Sequence, residues 1–360
     1  MSDKKTVIPF GPQHPVLPEP IQLRLVVEDE KIIEAIPSIG YVHRGLEKLI
    51  EIKDYHQNIF VVERVCGICS FMHALTYCEA IESLMDLDVP PRAKYLRVIW
   101  SELHRIHSHL LWTGLLADSF GFESLFMQLW KIREIIMDLQ EMTSGSRVII
   151  STNVIGGVRR DINSDMLGKI TKSLNDCVKA MKRIEKVLLN DYSVKHRTVG
   201  IAVVSSEKAY EFGLVGPTGR ASGINQDIRT TGYAAYGDLD FSPVVETSGD
   251  CYARMVVRIK EVYQSIDLIN QAISKIPDSE ISIQVKGNPE GEIVHRVEQP
   301  RGEVLYYIKA NGTKNLERLR IRTPTFANIP LLLATVPGSQ LSDVPVILLS
   351  IDPCISCTER

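Results

Sequence analysis

The sequence predicts an α+β protein, mainly α, in which a long-helix bundle carries peripheral β-hairpins and small sheets. Three observations lead there. Apolar residues alternate with polar ones near the N-terminus and again after about residue 280, the period of strands. Between about 45 and 275 they recur every three or four residues, the period of helices. No repeat, low-complexity tract or linker divides the chain, so a single domain over 1–360 is expected: an N-terminal hairpin about 20–36, a helical core about 45–275 and a C-terminal β segment with a cysteine-bearing tail about 280–360.

Taken in order, Ile21 to Val27 alternates, Glu28-Asp29-Glu30 supplies a charged turn, and Lys31 to Ile36 returns, which reads as a β-hairpin. Val98, Ile99, Leu103, Ile106, Leu110 and Leu111 mark one long helix. Leu167, Ile170, Leu174, Val178, Met181, Ile184 and Leu188 mark another, and its Lys and Arg positions between 172 and 186 read as a solvated face. His104, His107 and His109 fall in the first of these helices. The first two share a face, but no acid or cysteine pair flanks them, so polar-face or partner-contact histidines are expected. Val215-Gly-Pro-Thr-Gly-Arg-Ala-Ser-Gly223 reads as a loop from its glycine and proline density. Strands return at Ile281 to Val285 and Glu303 to Lys309, and a proline-punctuated tail after Pro324 ends in Asp352-Pro-Cys-Ile-Ser-Cys-Thr-Glu-Arg360.

At 44% hydrophobic and 24% charged residues with a net charge of -3, the composition is that of a globular protein without the basic excess that nucleic acid demands. The N-terminus carries lysines but no apolar segment of a secretory signal, and no apolar run approaches the roughly 20 residues of a membrane span. A cytoplasmic chain whose membrane contact comes through partner subunits is expected. Seven cysteines, an odd number, argue against a disulfide framework. Cys78, Cys177 and Cys251 stand alone in apolar surroundings and read as small buried hydrophobes.

The remaining four form two pairs, Cys66-Gly-Ile-Cys69 and Cys354-Ile-Ser-Cys357. Two thiolates on one turn can bind one metal ion, and four of them suit zinc, an iron–sulfur cluster or nickel alike. Two features weigh against structural zinc: the pairs lie near opposite ends of the chain, and Glu63, Arg64 and His73 crowd the first pair with ionisable groups that a structural site does not need.

Arg64-Val-Cys66-Gly-Ile-Cys69-Ser-Phe-Met-His73 and Asp352-Pro-Cys354-Ile-Ser-Cys357-Thr-Glu-Arg360 resemble the paired motifs of nickel–iron (NiFe) hydrogenase large subunits. Gly11-Pro-Gln-His-Pro, His43-Arg-Gly-Leu-Glu-Lys, Gly216-Pro-Thr-Gly-Arg-Ala-Ser-Gly and Pro300-Arg-Gly-Glu resemble the branch shared with the quinone-site subunit of respiratory complex I. Together they look like an energy-converting, group 4 hydrogenase of the Ech or carbon-monoxide-linked type, and the resemblance runs from about residue 8 to the end. A quinone-site subunit without hydrogen chemistry, or a zinc-stapled module, are the competing readings.

The resemblance implies Cys66 and Cys354 as terminal nickel ligands, and Cys69 and Cys357 as bridges to an iron carrying CO and two CN ligands. It implies Glu19 as the carrier that takes protons from a terminal thiolate. Arg301, after Pro300, would lie above the cyanides, with His73 behind a bridging sulfur and Asp118 and Asp352 as supporting carboxylates. Glu47 matches a glutamate that binds magnesium or iron in relatives. The pattern departs there, because Arg360 stands where a terminal histidine is usual, so a Glu47–Arg360 pair in place of the metal is the alternative expectation. The other cysteines are too few for an iron–sulfur cluster, so electrons must come from elsewhere. The implied partners are a small subunit with a 4Fe-4S cluster, a ferredoxin-like electron-transfer subunit, ferredoxin itself and integral membrane subunits at the cytoplasmic face, with reversible reduction of protons to dihydrogen coupled to ion movement.

Overall fold

The computed structural model describes residues 5–360; the first four residues, on which part of the reading of the N-terminus rests, lie outside the described residues. Strands β1 (Thr6–Phe10), β2 (Gln22–Glu28) and β3 (Lys31–Ser38) form an antiparallel sheet in that order. The expected hairpin is β2–β3. Glu28 pairs with Lys31 around Asp29 and Glu30, whose φ values of 45° and 65° give the doubly left-handed turn that suits a two-residue hairpin. Leu23, Leu25 and Val27 alternate into the core. The pattern of the sequence does not announce β1, which contains Pro9 and buries only Phe10.

Helices α1 (Leu46–Ile52), α2 (Asn58–Glu63), α3 (Ser70–Leu84), α4 (Pro91–Ser119), α5 (Glu123–Ser144), α6 (Ser164–Asn190), α7 (Tyr192–Thr198), α8 (Ser206–Glu211), α9 (Gly216–Arg220) and α10 (Cys251–Lys275) follow, with a ladder of β4 (Asn153–Val154) and β5 (Gly157–Val158) between α5 and α6. Pro91 opens α4 at a position where its missing N–H is not needed. This helix is buried almost all round, polar residues included, because α5, α10 and α13 (Val344–Ser350) pack on it. In contrast, α6 is amphipathic. Ile170, Leu174, Cys177, Met181, Ile184 and Leu188 are buried, Asn163 caps its start by accepting the Met166 N–H at 2.9 Å, and Lys172, Lys179, Lys182, Arg183 and Lys186 face water as the spacing predicts.

Strands β6 (Glu290–Gln299), β7 (Gly302–Asn311) and β8 (Leu316–Arg322) make a second antiparallel sheet against α3, and α11 (Pro324–Asn328), α12 (Pro330–Thr335), α13 and α14 (Ile355–Glu359) complete the chain. The fold is α+β and mainly α. Among the described residues no helix is long and apolar enough to cross a membrane.

Three local expectations are corrected. Residues 281–285 form no strand of their own: the segment meets the edge of β5 only at the Ser282–Gly157 bridge, through the Val158 N–H to Ile281 carbonyl (2.9 Å) and Ile283 N–H to Gly156 carbonyl (3.0 Å) bonds, too short a pairing to extend. The glycine-rich stretch at 215–223 contains the buried helix α9, with Pro217 in its first turn. His104, His107 and His109 are not on a polar face, since all three are fully buried in α4. Burial pushes the imidazole of His104 down to about 4. The lone cysteines Cys78, Cys177 and Cys251 are buried free thiols, and burial alone pushes Cys177 up to about 12.

Candidate metal centre

Cys66 lies in the turn after α2, and Cys69 is the residue that caps α3; Cys354 caps α14 and Cys357 lies inside it. Arg44 fastens the two cysteine segments to each other. Its guanidinium donates to the carbonyls of Arg64 (2.7 Å), Val65 (2.9 Å) and Ser356 (3.1 Å).

All four sulfurs are buried, with 2% or less of each cysteine exposed. Cys69 Sγ lies 3.2 Å from Cys357 Sγ, and Cys354 Sγ lies 3.3 Å from Cys66 Sγ. A disulfide needs about 2.05 Å, so these are thiols; the sulfurs of Cys66, Cys69 and Cys357 lie within 4.8 Å of one another, and Cys354 Sγ adjoins them at Cys66. Cys66 Sγ also accepts the backbone N–H groups of Ile68 (3.3 Å) and Cys69 (3.4 Å). Hydrogen bonds from Cys354, Cys357 and Cys69 hold its pKa well below the usual thiol range, with the charge of Arg301 adding to them. The other three are pushed up, Cys69 and Cys357 chiefly by burial; at Cys354 the contact with Cys357 works to lower it, but those with Cys66 and Cys69, with burial, outweigh it. Four soft sulfurs sealed from water fit a soft metal cation, which would favour their thiolate forms.

Arg301 reaches this pocket from the turn between β6 and β7, behind the buried Pro300. Its Nη2 pairs with Asp352 Oδ1 at 2.8 Å, its Nε donates to the Asp352 carbonyl at 3.0 Å, and Nη1 lies 3.4 Å from Ser108 Oγ. His73 sets Nε2 3.4 Å from Cys357 Sγ and Nδ1 2.8 Å from the hydroxyl of Tyr306. Burial pushes His73 down to about 4, so the ring is neutral, and a Tyr306 O–H donated to Nδ1 places the ring proton on Nε2, facing the sulfur. Glu19 accepts the backbone N–H of Ile355, the residue after Cys354, as well as the N–H of Ser356 at 3.0 Å and the Ser356 hydroxyl.

Two expected site residues stand apart. Asp118 is exposed at the end of α4 and is not brought to the sulfurs. Glu47 is not free to ligate magnesium: Oε1 accepts from Arg360 Nε and the Ile321 N–H, both at 2.9 Å, and Oε2 accepts from Arg320 Nη1 at 2.6 Å. Burial works to raise its pKa, but these donors outweigh it and hold the carboxyl below its ordinary value. Two guanidinium groups on one carboxylate do not fit a divalent cation, so the alternative expectation, an Arg360–Glu47 pair, is the arrangement present.

Sequence reasoning missed the supports. Thr325 Oγ1 accepts the Cys354 N–H at 3.1 Å, and Arg105 Nη1 and Nη2 bind the carbonyls of Gln299 (3.0 Å) and Glu298 (2.8 Å), just before the Arg301 turn. Gly216 presses its α-carbon on that same turn; a Cβ there would lie 2.3 Å from Gly302 Cα. The only sequence signal for this contact is the glycine-rich motif itself.

Residues 119–288 and 280–360 match the family described as the respiratory-chain NADH dehydrogenase 49 Kd subunit, and residues 44–117 match the nickel-dependent hydrogenases. The chain is 42% identical over 362 residues to the carbon monoxide-induced hydrogenase of Rhodospirillum rubrum, covering 98% of this chain and 99% of the relative. It is 38% identical to the membrane-bound hydrogenase subunit alpha of Pyrococcus furiosus, covering 98% of this chain and 87% of the relative. Identity to one subunit of the F(420)H(2) dehydrogenase of Methanosarcina mazei is 36%, over 100% of this chain and 99% of that protein.

Proposed function

Because the chain belongs to the family that unites nickel-dependent hydrogenases with the 49 Kd subunit of the respiratory-chain NADH dehydrogenase, we propose that it is the catalytic large subunit of a membrane-associated, energy-converting hydrogenase. The observation that carries this reading is the meeting of four buried sulfurs from opposite ends of the chain beside a buried arginine. Cys66, Cys69, Cys354 and Cys357 would hold a nickel–iron centre of the hydrogenase type, Cys66 and Cys354 as nickel ligands and Cys69 and Cys357 as ligands common to both metals. When bound, such a centre supplies the formation and splitting of dihydrogen.

The chain's own groups manage charge and protons around it. Arg301, held in place by Asp352, would offer a fixed guanidinium to anionic ligands of such a centre. His73 donates Nε2–H to Cys357 Sγ. Cys354 Sγ accepts the proton, and the Glu19 carboxyl carries it outward; its hydrogen bond to the amide of the next residue supports that role. Electrons enter from a small subunit with a 4Fe-4S cluster, fed through a ferredoxin-like subunit by reduced ferredoxin, and integral membrane subunits at the cytoplasmic face couple turnover to ion movement.

A quinone-site subunit is the second reading, favoured by the 49 Kd match over the C-terminal two thirds and by the Methanosarcina mazei relative. It requires no cysteine pair, and all four cysteines are present. Substituting Cys354→Ser tests the proposal: loss of nickel and of hydrogen evolution is expected, whereas a variant with full nickel and full turnover overturns the ligand assignment.

A further inference from the structure

We propose that Arg258 is a positioning residue of the metal centre, acting through Asp352 and one bridging water to hold the guanidinium of Arg301 beside the four sulfurs. The proposal rests on the reading of Arg301 given above and concerns the residues behind it.

Asp352 meets Arg301 with two groups, its carbonyl oxygen and Oδ1, and it adopts φ 54°, a left-handed conformation that residues with a Cβ seldom take. Its second oxygen, Oδ2, is buried and has no hydrogen-bond partner. On the far side, Arg258 of α10 is fully buried. Its Nη1 donates to the carbonyls of Arg254 (3.0 Å) and Ser350 (3.3 Å), and its guanidinium lies 4.1 Å from the centroid of the Trp112 ring, so its plane is fixed. Its Nε and Nη2 donate to nothing, and Nε stands 3.9 Å from the unpartnered Asp352 Oδ2.

Unspent donors and an unspent acceptor therefore face each other across a gap too long for a direct hydrogen bond. Buried polar groups are rarely left in that state, and an ordered water beside the pair, within hydrogen-bond distance of both, satisfies donor and acceptor together. Burial lowers the Arg258 pKa only to about 10, so it remains a cation at neutral pH. Two guanidinium groups then share one carboxylate: Arg301 on Oδ1 and Arg258, through water, on Oδ2. Without Arg258 the carboxylate is free to turn on its own axis, and Arg301 loses a fixed partner.

The test compares the natively matured enzyme with Arg258→Gln and Arg258→Lys. With nickel content unchanged, Arg258→Gln is expected to shift the infrared cyanide bands and to lower hydrogen evolution tenfold or more, and Arg258→Lys, which restores the charge, to recover part of both. Wild-type bands and turnover in Arg258→Gln overturn the proposal. Crystal structures supply a readout independent of the metal: a water within hydrogen-bond distance of Arg258 Nε and Asp352 Oδ2, with Arg301 displaced in the variant, supports it, and an empty gap or an unmoved Arg301 overturns it. A wild-type enzyme without cyanide bands refutes the hydrogenase reading and leaves the crystallographic comparison to decide the role of Arg258. If Arg258→Gln does not fold, Arg258→Lys carries the same two readouts.

Discussion

Substituting Gly216→Ala is predicted to damage the metal centre through a residue that touches none of its atoms. Gly216 has φ 66°, and a Cβ would meet Gly302 Cα at 2.3 Å and the Arg301 carbonyl oxygen at 2.4 Å. Atoms that close must separate by about 1 Å to reach ordinary contact, and the atoms in the way are backbone. Left-handed strain costs about 1–2 kcal/mol and overpacking about 1–3 kcal/mol, so the loss is roughly 2–5 kcal/mol. For a chain of this length that lowers the melting temperature by about 3–7 °C. Because the displaced segment is the Arg301 turn, a shift near 1 Å is expected to reduce turnover about 100-fold. Differential scanning calorimetry and hydrogen-evolution assays on the matured enzyme check both numbers. A variant that melts and turns over like the wild type would show that the close approach does not position Arg301.

Glu19→Gln keeps an oxygen to accept the Ile355 and Ser356 amides but removes the titratable carboxyl. Hydrogen evolution is expected to fall at least tenfold with nickel and iron retained; unchanged turnover removes Glu19 from the proton path. At the Glu47–Arg360 corner, metal analysis is expected to find no stoichiometric magnesium and chelator treatment to leave the melting temperature unchanged. Full magnesium occupancy would refute that pairing. Glu298 predicts a pH effect: burial, then repulsion from Asp227, pushes its folded pKa up to about 7 from 4.5. The folded chain holds this proton more tightly than the unfolded one, so its contribution is fully present below about pH 4.5 and is lost as pH rises through about 7. The span is up to about 3 kcal/mol. Chemical denaturation of wild type and Glu298→Gln at pH 5, 6 and 7 checks it, and a slope that the substitution leaves unchanged contradicts it.

The helices and the first hairpin were legible because their periodicity is local. The Leu167 to Leu188 stripe and the Asp29–Glu30 turn each carry their own instructions. Residues 281–285 carried the strand pattern but met only the two-residue β5, which is too short to make a ladder, and no property of those five residues reveals that. The histidines of α4 misled for a related reason. Polar residues on a central helix are buried by what surrounds it, and their partners, Ile68 for His104 and Glu261 for His109, come from distant segments. The cysteine pairs were legible from their spacing as candidate ligands, and the fold brings their sulfurs together. What holds them together was not: Arg44 bonding across both segments, Arg105 on the strand before Arg301, and Gly216 against Gly302 depend on chain crossings that no single segment encodes. Asp118 shows the converse, a carboxylate suggested by resemblance that the fold leaves in water.

The central claim is that Cys66, Cys69, Cys354 and Cys357 hold a nickel–iron centre and not a structural ion. Metal analysis with infrared spectroscopy on the natively matured protein addresses it most directly. The account predicts nickel and iron in equal amounts, with absorption bands of metal-bound carbon monoxide and cyanide. Zinc alone, with no such bands, would contradict it.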